Sequence, residues 1–337
     1  MDVEWLVKPP ERKMVSRSFT IGARGSLLAI RQTDIALEAL RSANPDAVFE
    51  VRTIRTEGDR ATASLSEIGG RGVFVIEIER ALLAGEIDIA VHSLKDLPSE
   101  ETLGLTIAAV LPREDPRDVL ISRDGATLRD LAPGATVGTG SPRRAAQLIA
   151  LRPDLHIADI RGNVDTRIRK VQDGEYDAVV LAAAGLARLE MLDHAAQIFE
   201  PEEMLPAVGQ GALAVQVRDD DTETLEFVRR SDDPETRTTI TAERAFERRL
   251  GGGCHVAIAG LGVILSEAKN LSGLASPANV ATSANSHLHL RGLVGDPTGH
   301  LIHAATEGVV ADAEQLGIYL AEQLLDQGAS VLLESVT

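Results

Sequence analysis

Apolar and polar positions along the chain predict strands and helices in turn. Phe19-Thr20-Ile21 reads as a short strand, broken by Gly22-Ala23-Arg24-Gly25. Ser26 stands where an N-cap belongs, ahead of Leu27 to Ala43, in which Ala29, Thr33, Ala36, Leu37 and Leu40 recur at helical spacing. Asn44-Pro45 stops that helix. Val48 to Thr56 alternates charged with apolar β-formers and predicts a second strand. The polar, glycine-rich stretch Gly58 to Gly72 predicts no regular element. A helix from Val73 to Leu83 would pack Phe74, Ile78, Ala81 and Leu82 on one face, with Gly85 just past its end. The nearly continuous apolar run Ile87 to Val91 then reads as a buried parallel strand.

The same grammar returns further on. Ala135 to Gly138 predicts a strand, Thr139-Gly140 a loop, and Ser141-Pro142 a helix start with serine as N-cap and proline at the first helical position. A helix from about Val164 to Asp173 ends at Gly174, and Asp177 to Leu181 predicts the next strand. Gly85-Glu86-Ile87-Asp88 is echoed by Gly174-Glu175-Tyr176-Asp177, and Gly22 to Ser26 by Gly138 to Ser141. The echoes imply two similar α/β domains, each with a strand-loop-helix mouth, facing one another across a cleft. After about Asp232 the pattern changes. A helix around Thr241 to Leu250 runs into Gly251-Gly252-Gly253-Cys254, strands are expected at His255 to Ala259 and Leu288 to Val294, and a closing helix at Ala311 to Asp326. That predicts a third, smaller α/β domain, with Ser266 to Ser286 as a surface insertion.

Composition narrows the function classes. The 337 residues exceed one ordinary core, and 44% hydrophobic content suits a folded enzyme. A formal charge of -17, from 34 basic against 51 acidic residues, opposes binding to nucleic acid or anionic membranes. No apolar run is long enough to span a bilayer. Met1 to Ser18 lacks a secretory apolar core, so a cytoplasmic location is the expectation, with 1–17 a disordered extension. The single cysteine excludes an internal disulfide, and the eight histidines lack partners at metal-ligand spacing, so no metal site is expected.

Candidate chemistry lies at loop-to-helix junctions. Arg143 and Arg144 fall in a first helical turn, where the macrodipole makes a cation unfavourable by roughly 0.3–1 kcal/mol. Arg161, Gly162, Asn163 and Arg167 stand at the start of the next helix, and Arg24 before the first. Such arginines either point into water or line a cleft that takes carboxylates or phosphates. Neither phosphate-loop nor dinucleotide glycine patterns occur, which favours carboxylates. His92-Ser93-Leu94-Lys95-Asp96 follows a buried strand, where side chains reach a ligand crevice. Asp96 could be a helix N-cap, but Leu97-Pro98 disfavours a regular helix there; among cations it could instead stabilise a developing positive charge. Cys254 is either an inert buried thiol or a reactive one, and sequence alone leaves that open.

His92-Ser-Leu-Lys-Asp96-Leu-Pro, Arg113-Glu-Asp-Pro-Arg-Asp118, Arg161-Gly-Asn163, Leu205-Pro-Ala-Val-Gly-Gln-Gly211, Thr241-Ala-Glu-Arg244 and Gly251-Gly-Gly-Cys254 together resemble the porphobilinogen deaminase family, in the family's order. The resemblance implies an α/β fold of three domains. The first two would be periplasmic-binding-protein-like (type II) around a cleft, at 18–111 plus 212–230 and at 112–211; the third, 231–337, would carry the cofactor cysteine. It implies a dipyrromethane cofactor joined to Cys254 by a thioether. On that primer four porphobilinogen molecules would condense head to tail, each losing ammonia to give an azafulvene cation, before hydrolysis releases hydroxymethylbilane. Asp96 would bind pyrrole N–H groups and stabilise the cation. Ser93, Lys95, Thr139, Ser141, Arg143, Arg144, Arg161, Gly162, Asn163 and Arg188 would bind the cofactor, and Arg24, Ser26, Arg167 and Arg71 the substrate. Gly58 to Gly72 would be a lid. A cytoplasmic monomer is implied, acting on a small molecule without nucleic acid or membrane. This chain departs from the family at Thr139-Gly140-Ser141, where one hydroxyl is missing, and at Pro142. The rival expectation is a non-catalytic two-lobed carboxylate-binding protein, which would need neither Cys254 nor Asp96.

Overall fold

A computed structural model describes residues 18–54, 75–251, 256–265 and 286–334. The chain is mixed α/β, built on three sheets. In the first, β1 (Ser18–Arg24) is flanked in parallel by β2 (Val48–Ile54) and β3 (Ile89–Ser93). β4 (Leu105–Val110) forms the far edge. In the second, β5 (Asp118–Ser122) runs antiparallel, while β6 (Thr136–Gly138) is flanked in parallel by β7 (His156–Ala158) and β8 (Ala178–Ala182). The short β9 (Gln197–Ile198) completes its edge beyond β5. The chain then returns to the first sheet as β10 (Leu213–Arg218), antiparallel to both β3 and β4. Each sheet thus receives, beside its third parallel strand, an antiparallel strand that has just arrived from the other half. Two crossing segments, between β4 and β5 and between β9 and β10, therefore run side by side.

The sequence echo has a physical meaning. At the foot of β3 the Thr20 N–H donates to the Asp88 carboxylate at 2.9 Å, and Asp88 N–H donates back to the Thr20 carbonyl at 2.8 Å. At the foot of β8, Thr136 and Asp177 repeat both bonds at 2.7 and 2.9 Å. One aspartate in each half pins the incoming strand to its central neighbour and closes an otherwise open backbone donor.

The predicted helices are present, with shifted ends. α1 (Leu27–Ala43) is capped by Ser26, whose hydroxyl accepts from the Ala29 N–H. It buries Thr33, Ala36, Leu37 and Leu40, close to the predicted stripe. α2 (Ile76–Leu83) begins later than expected, and Val73 and Phe74 lie outside the described residues. α3 (Pro142–Leu151) and α4 (Val164–Gln172) begin as predicted; α5 (Ala183–Arg188) and α6 (Thr222–Arg229) carry no sequence expectation. Phe19, Phe49 and Phe227 cluster with ring centroids 4.3 to 6.0 Å apart and fill the core between β1, β2 and α6. Full burial of each such ring contributes roughly 1.5–3 kcal/mol.

The third unit differs most from expectation. α7 (Pro234–Arg249) starts well before Thr241, because Asp233 caps it through the Thr236 N–H and Pro234 occupies its first turn. β11 (Ala257–Leu265), β12 (His287–Gly295) and an unforeseen β13 (Leu301–Val309) form an antiparallel meander. α8 (Ala313–Asp326) and α9 (Ala329–Glu334) close it. Phe246 of α7 is fully buried in that core with Leu288, Leu290, Leu320 and Leu324.

Candidate active site

The first sheet delivers one wall. Arg24 ends β1 and Ser26 caps α1, while β3 ends at Ser93. Gln32 on α1 donates to the Ser93 hydroxyl at 2.7 Å, tying helix to strand. Leu94–Asp96 forms one turn of 3-10 helix, after which Leu97 is extended, so Asp96 caps no regular helix. Arg24, Ser26, Gln32, His92, Ser93 and Asp96 line a cavity of about 70 Å³. Behind it His92 is buried, with Nε2 3.1 Å from the Gln216 amide oxygen. Gln216 in turn donates to Glu79, which also accepts from Thr102. A carboxylate only accepts here, so the Gln216 nitrogen faces Glu79 and its oxygen faces the ring; His92 therefore donates from Nε2. Burial pushes the imidazole down to about 4, against the opposing effect of the Gln216 bond.

The second sheet delivers the other wall. Thr139 is buried and its hydroxyl accepts from the Ser141 N–H at 3.2 Å. Ser141 occupies the N-cap position of α3, yet its own hydroxyl makes no capping bond, contrary to expectation. The Thr139 side chain holds the loop instead. Arg143 and Arg144 have an internal partner that the sequence reading did not name. Neither extends freely from the helix mouth: both turn inward onto Asp118, the first residue of β5, and are only 5% and 8% exposed. Arg143 Nη1 donates to Asp118 at 2.6 Å and to the Leu205 carbonyl at 2.8 Å. Arg144 donates to the same carboxylate from Nε and Nη2 at 3.1 and 2.7 Å, and from Nη1 to the Val180 carbonyl. This internal carboxylate offsets the unfavourable dipole of the helix start. Burial alone would raise the Asp118 carboxyl, but Arg143 and Arg144, by charge and by hydrogen bonds, hold it well below the usual carboxylate range.

Other cations gather around this pair. Lys95 is pushed down to about 8 by burial and then by Arg144 and Arg143, with Asp96 and Asp118 opposing. Arg167 on α4 donates to the Gly162 carbonyl at 2.8 Å and is pushed down to about 10 by burial, then by Arg144 and Arg161. Arg161 pairs with Asp159 at 3.2 Å. Asn163 stands at the N-cap of α4 without a side-chain cap bond. Arg188 on α5 donates to the Gly211 carbonyl at 2.6 Å, and burial lowers it. Arg144 from one half thus lies close enough to disfavour the charge of Lys95 from the other. A group of cations outnumbering the acids beside it suits a ligand with several carboxylates.

Sequence reasoning missed three residues that organise this centre. Asp118 closes the Arg113–Asp118 motif and could have been found as the acid matching two adjacent arginines. Gln210 is fully buried between the crossings. Glu243 on α7 is likewise buried; it accepts both Arg113 nitrogens at 2.5 and 3.1 Å and the N–H groups of Gly209 and Gly262 at 2.8 Å. It ties the third unit to both crossings. Gly209 and Gly211 adopt φ of 72° and 89°, and a Cβ on either would collide with Leu94 or with the Glu114 carbonyl. Only glycine lets the crossings approach so closely. Cys254 and Arg71, the Gly58 to Gly72 stretch, the N-terminal extension and nearly all of the 266–286 insertion lie outside the described residues. Among the described residues no histidine and acidic side chains cluster as a metal site, and no helix is long and apolar enough to cross a membrane.

Two α/β lobes joined by paired crossings, with Lys95 and Asp96 on one side and the Arg143–Asp118–Arg144 cluster on the other, define a two-lobed α/β protein. Comparison with known proteins gives the family. The family model described as "Porphobilinogen deaminase, dipyromethane cofactor binding domain" matches residues 19–226, and "Porphobilinogen deaminase, C-terminal domain" matches 237–326. Curated porphobilinogen deaminases of Roseiflexus sp. (strain RS-1), Thermus thermophilus and Bacillus subtilis are 46%, 44% and 42% identical. Each alignment covers 95% of this chain, and 99%, 99% and 96% of the respective relative. The chain belongs to the porphobilinogen deaminase family, whose members are enzymes of tetrapyrrole synthesis.

Proposed function

We propose that this chain condenses four porphobilinogen molecules head to tail on a dipyrromethane primer, releasing ammonia at each addition and finally hydroxymethylbilane, and so acts as a transferase. The observation that supports the reading most is the approach of Lys95, next to Asp96 on one lobe, to the Arg143–Asp118–Arg144 cluster of the other, which it reaches through Gln210. Every pyrrole of this chemistry bears an acetate and a propionate, so the ligand gains two carboxylates per addition. Burial first, and neighbouring cations second, depress Lys95 and Arg167, and a bound carboxylate would counter the second effect.

Cys254 would hold the primer, with Ser93, Lys95, Thr139, Ser141, Arg143, Arg144, Arg161, Gly162, Asn163 and Arg188 around it. When bound, the primer supplies a pyrrole carbon nucleophile and a covalent tether. Arg24, Ser26, Arg167 and Arg71 would orient the incoming substrate by its carboxylates. Asp96, on the wall of the cavity, would accept a substrate pyrrole N–H and stabilise the positive charge that develops as ammonia leaves. The Gln32–Ser93 bond and the buried His92–Gln216–Glu79 chain would keep that wall rigid. The reading includes domains at 18–111 plus 212–230, 112–211 and 231–337, and a cytoplasmic monomer.

Intact mass under denaturing conditions, on wild type beside Cys254→Ser, tests it. Added mass equal to two pyrrole units in wild type alone is the expected result. No added mass, even after incubation with porphobilinogen or hydroxymethylbilane, would overturn the reading in favour of a non-catalytic carboxylate-binding relative.

A further inference from the structure

A neutral side chain links charged groups of the two lobes. Gln210 lies on the crossing that returns to the first sheet and is fully buried. Its amide nitrogen donates to the Pro116 carbonyl at 2.7 Å and to Asp118 Oδ1 at 2.8 Å, both on or next to the outgoing crossing. Its amide oxygen accepts from Lys95 Nζ at 3.3 Å. The orientation is forced: a flipped amide would set oxygen against a carbonyl and a carboxylate, and nitrogen against an ammonium. Its backbone carbonyl also accepts from Arg113 Nε at 2.8 Å.

Four charged groups act on Lys95: Asp96 on its own turn, Asp118 on β5, and Arg143 and Arg144 on α3. Asp118 is already saturated by the two arginines and by Gln210. Among the described residues Lys95 makes no ion pair, and Gln210 is its hydrogen-bond partner. An amide in this place does what neither a carboxylate nor an apolar side chain could. It fixes the ammonium without neutralising it, and it ties that ammonium to the carboxylate that orients both arginines.

We propose that Gln210 is a positioning residue that spaces Lys95 from Asp118 across the crossing, so that Lys95 keeps its charge for a ligand carboxylate and moves in register with the Arg143–Arg144 pair. The inference rests on the proposed deaminase reading for the identity of that ligand.

The test uses the holoenzyme and three forms: wild type, Gln210→Glu and Gln210→Met. Lys95 acetylation by acetic anhydride, quantified by peptide mass spectrometry across pH, reads the ammonium directly; steady-state kinetics with porphobilinogen gives KM and kcat. In Gln210→Glu the new carboxylate pairs with Lys95, so the acetylation midpoint moves up by about one pH unit or more. The same variant raises KM by about tenfold, with a smaller change in kcat, because substrate must displace an internal partner. In Gln210→Met the ammonium loses its acceptor and gains an apolar neighbour, so the midpoint moves down, and KM rises less. Opposite displacements in the two variants support the spacer. A purely structural glutamine would lower thermal stability in both variants and leave the Lys95 midpoint unmoved, and that result overturns the proposal. Should Gln210→Glu fail to fold, an unmoved or upward midpoint in Gln210→Met would overturn it equally. The two-pyrrole mass is recorded on every sample: its absence from wild type sinks the deaminase reading, whereas its presence beside an unmoved midpoint sinks only the role of Gln210.

Discussion

Asp118→Asn removes one negative charge and keeps the side-chain shape, which makes it a sharp probe of the centre. The carboxylate is fully buried and accepts from Arg143, Arg144 and Gln210. Both guanidinium groups are nearly buried, so neither can turn to solvent for compensation. Breaking a buried pair by removing one partner costs roughly 3–5 kcal/mol. Here one carboxylate serves two arginines, and the two losses share a partner and do not add. The amide that replaces it also brings an N–H against a donor, whichever way it turns. A loss of about 4 kcal/mol at pH 7 is therefore expected. The pH dependence carries a second signature. The folded-state pKa of Asp118 is depressed, so its stabilisation is fully present above the unfolded value near ~3.9 and is lost as pH falls below it. The gap between wild type and variant should narrow by about 1.4 kcal/mol for each pH unit below that point. Urea unfolding followed by circular dichroism at pH 7 and at acid pH measures both quantities. A loss under about 1 kcal/mol at pH 7 would refute the reasoning, since it would mean the arginines find other partners without strain.

Two further outcomes are expected. Asp96→Asn should keep the fold and the covalently added mass while lowering turnover by ~10²-fold or more, and near-wild-type turnover in a stopped-time product assay would remove Asp96 from the chemistry. His92 has a depressed folded-state pKa of about 4, so its burial favours folding fully above the unfolded value near ~6.5 and progressively less as pH falls towards 4. Wild type should therefore lose up to ~3 kcal/mol more than His92→Asn between pH 7 and pH 4 in parallel urea titrations, and equal losses would show that the ring is not held neutral.

What could be read from the sequence divides along physical range. α1 was legible because its cap and its buried stripe are local, and so was the Gly-Glu-x-Asp echo, which becomes Asp88 and Asp177 making the same bond in each half. The start of α7 was legible too, in Asp233-Pro234, but the helical stripe around Thr241 drew attention away from it. β13 was hidden because His303, Ala305 and Glu307 alternate with Ile302, Ala304 and Thr306, a pattern too weakly apolar to announce a strand that pairing with β12 and packing against α8 hold in place. At the site, sequence identified the arginines as anomalous for a helix start but offered only water or a ligand as their partners. Part of the answer lay 25 and 26 positions upstream, in a carboxylate that sequence cannot pair with them. Gln210 is harder still, 92 positions from Asp118 and 115 from Lys95, and neutral, so no charge pattern marks it. The two kinds of omission have one cause. A buried cation is stable only by virtue of partners that the fold brings from elsewhere. The residues that set the charge available to a ligand are thus the internal acids and amides behind the arginines, and substitutions there should alter ligand binding without touching any group that contacts the ligand.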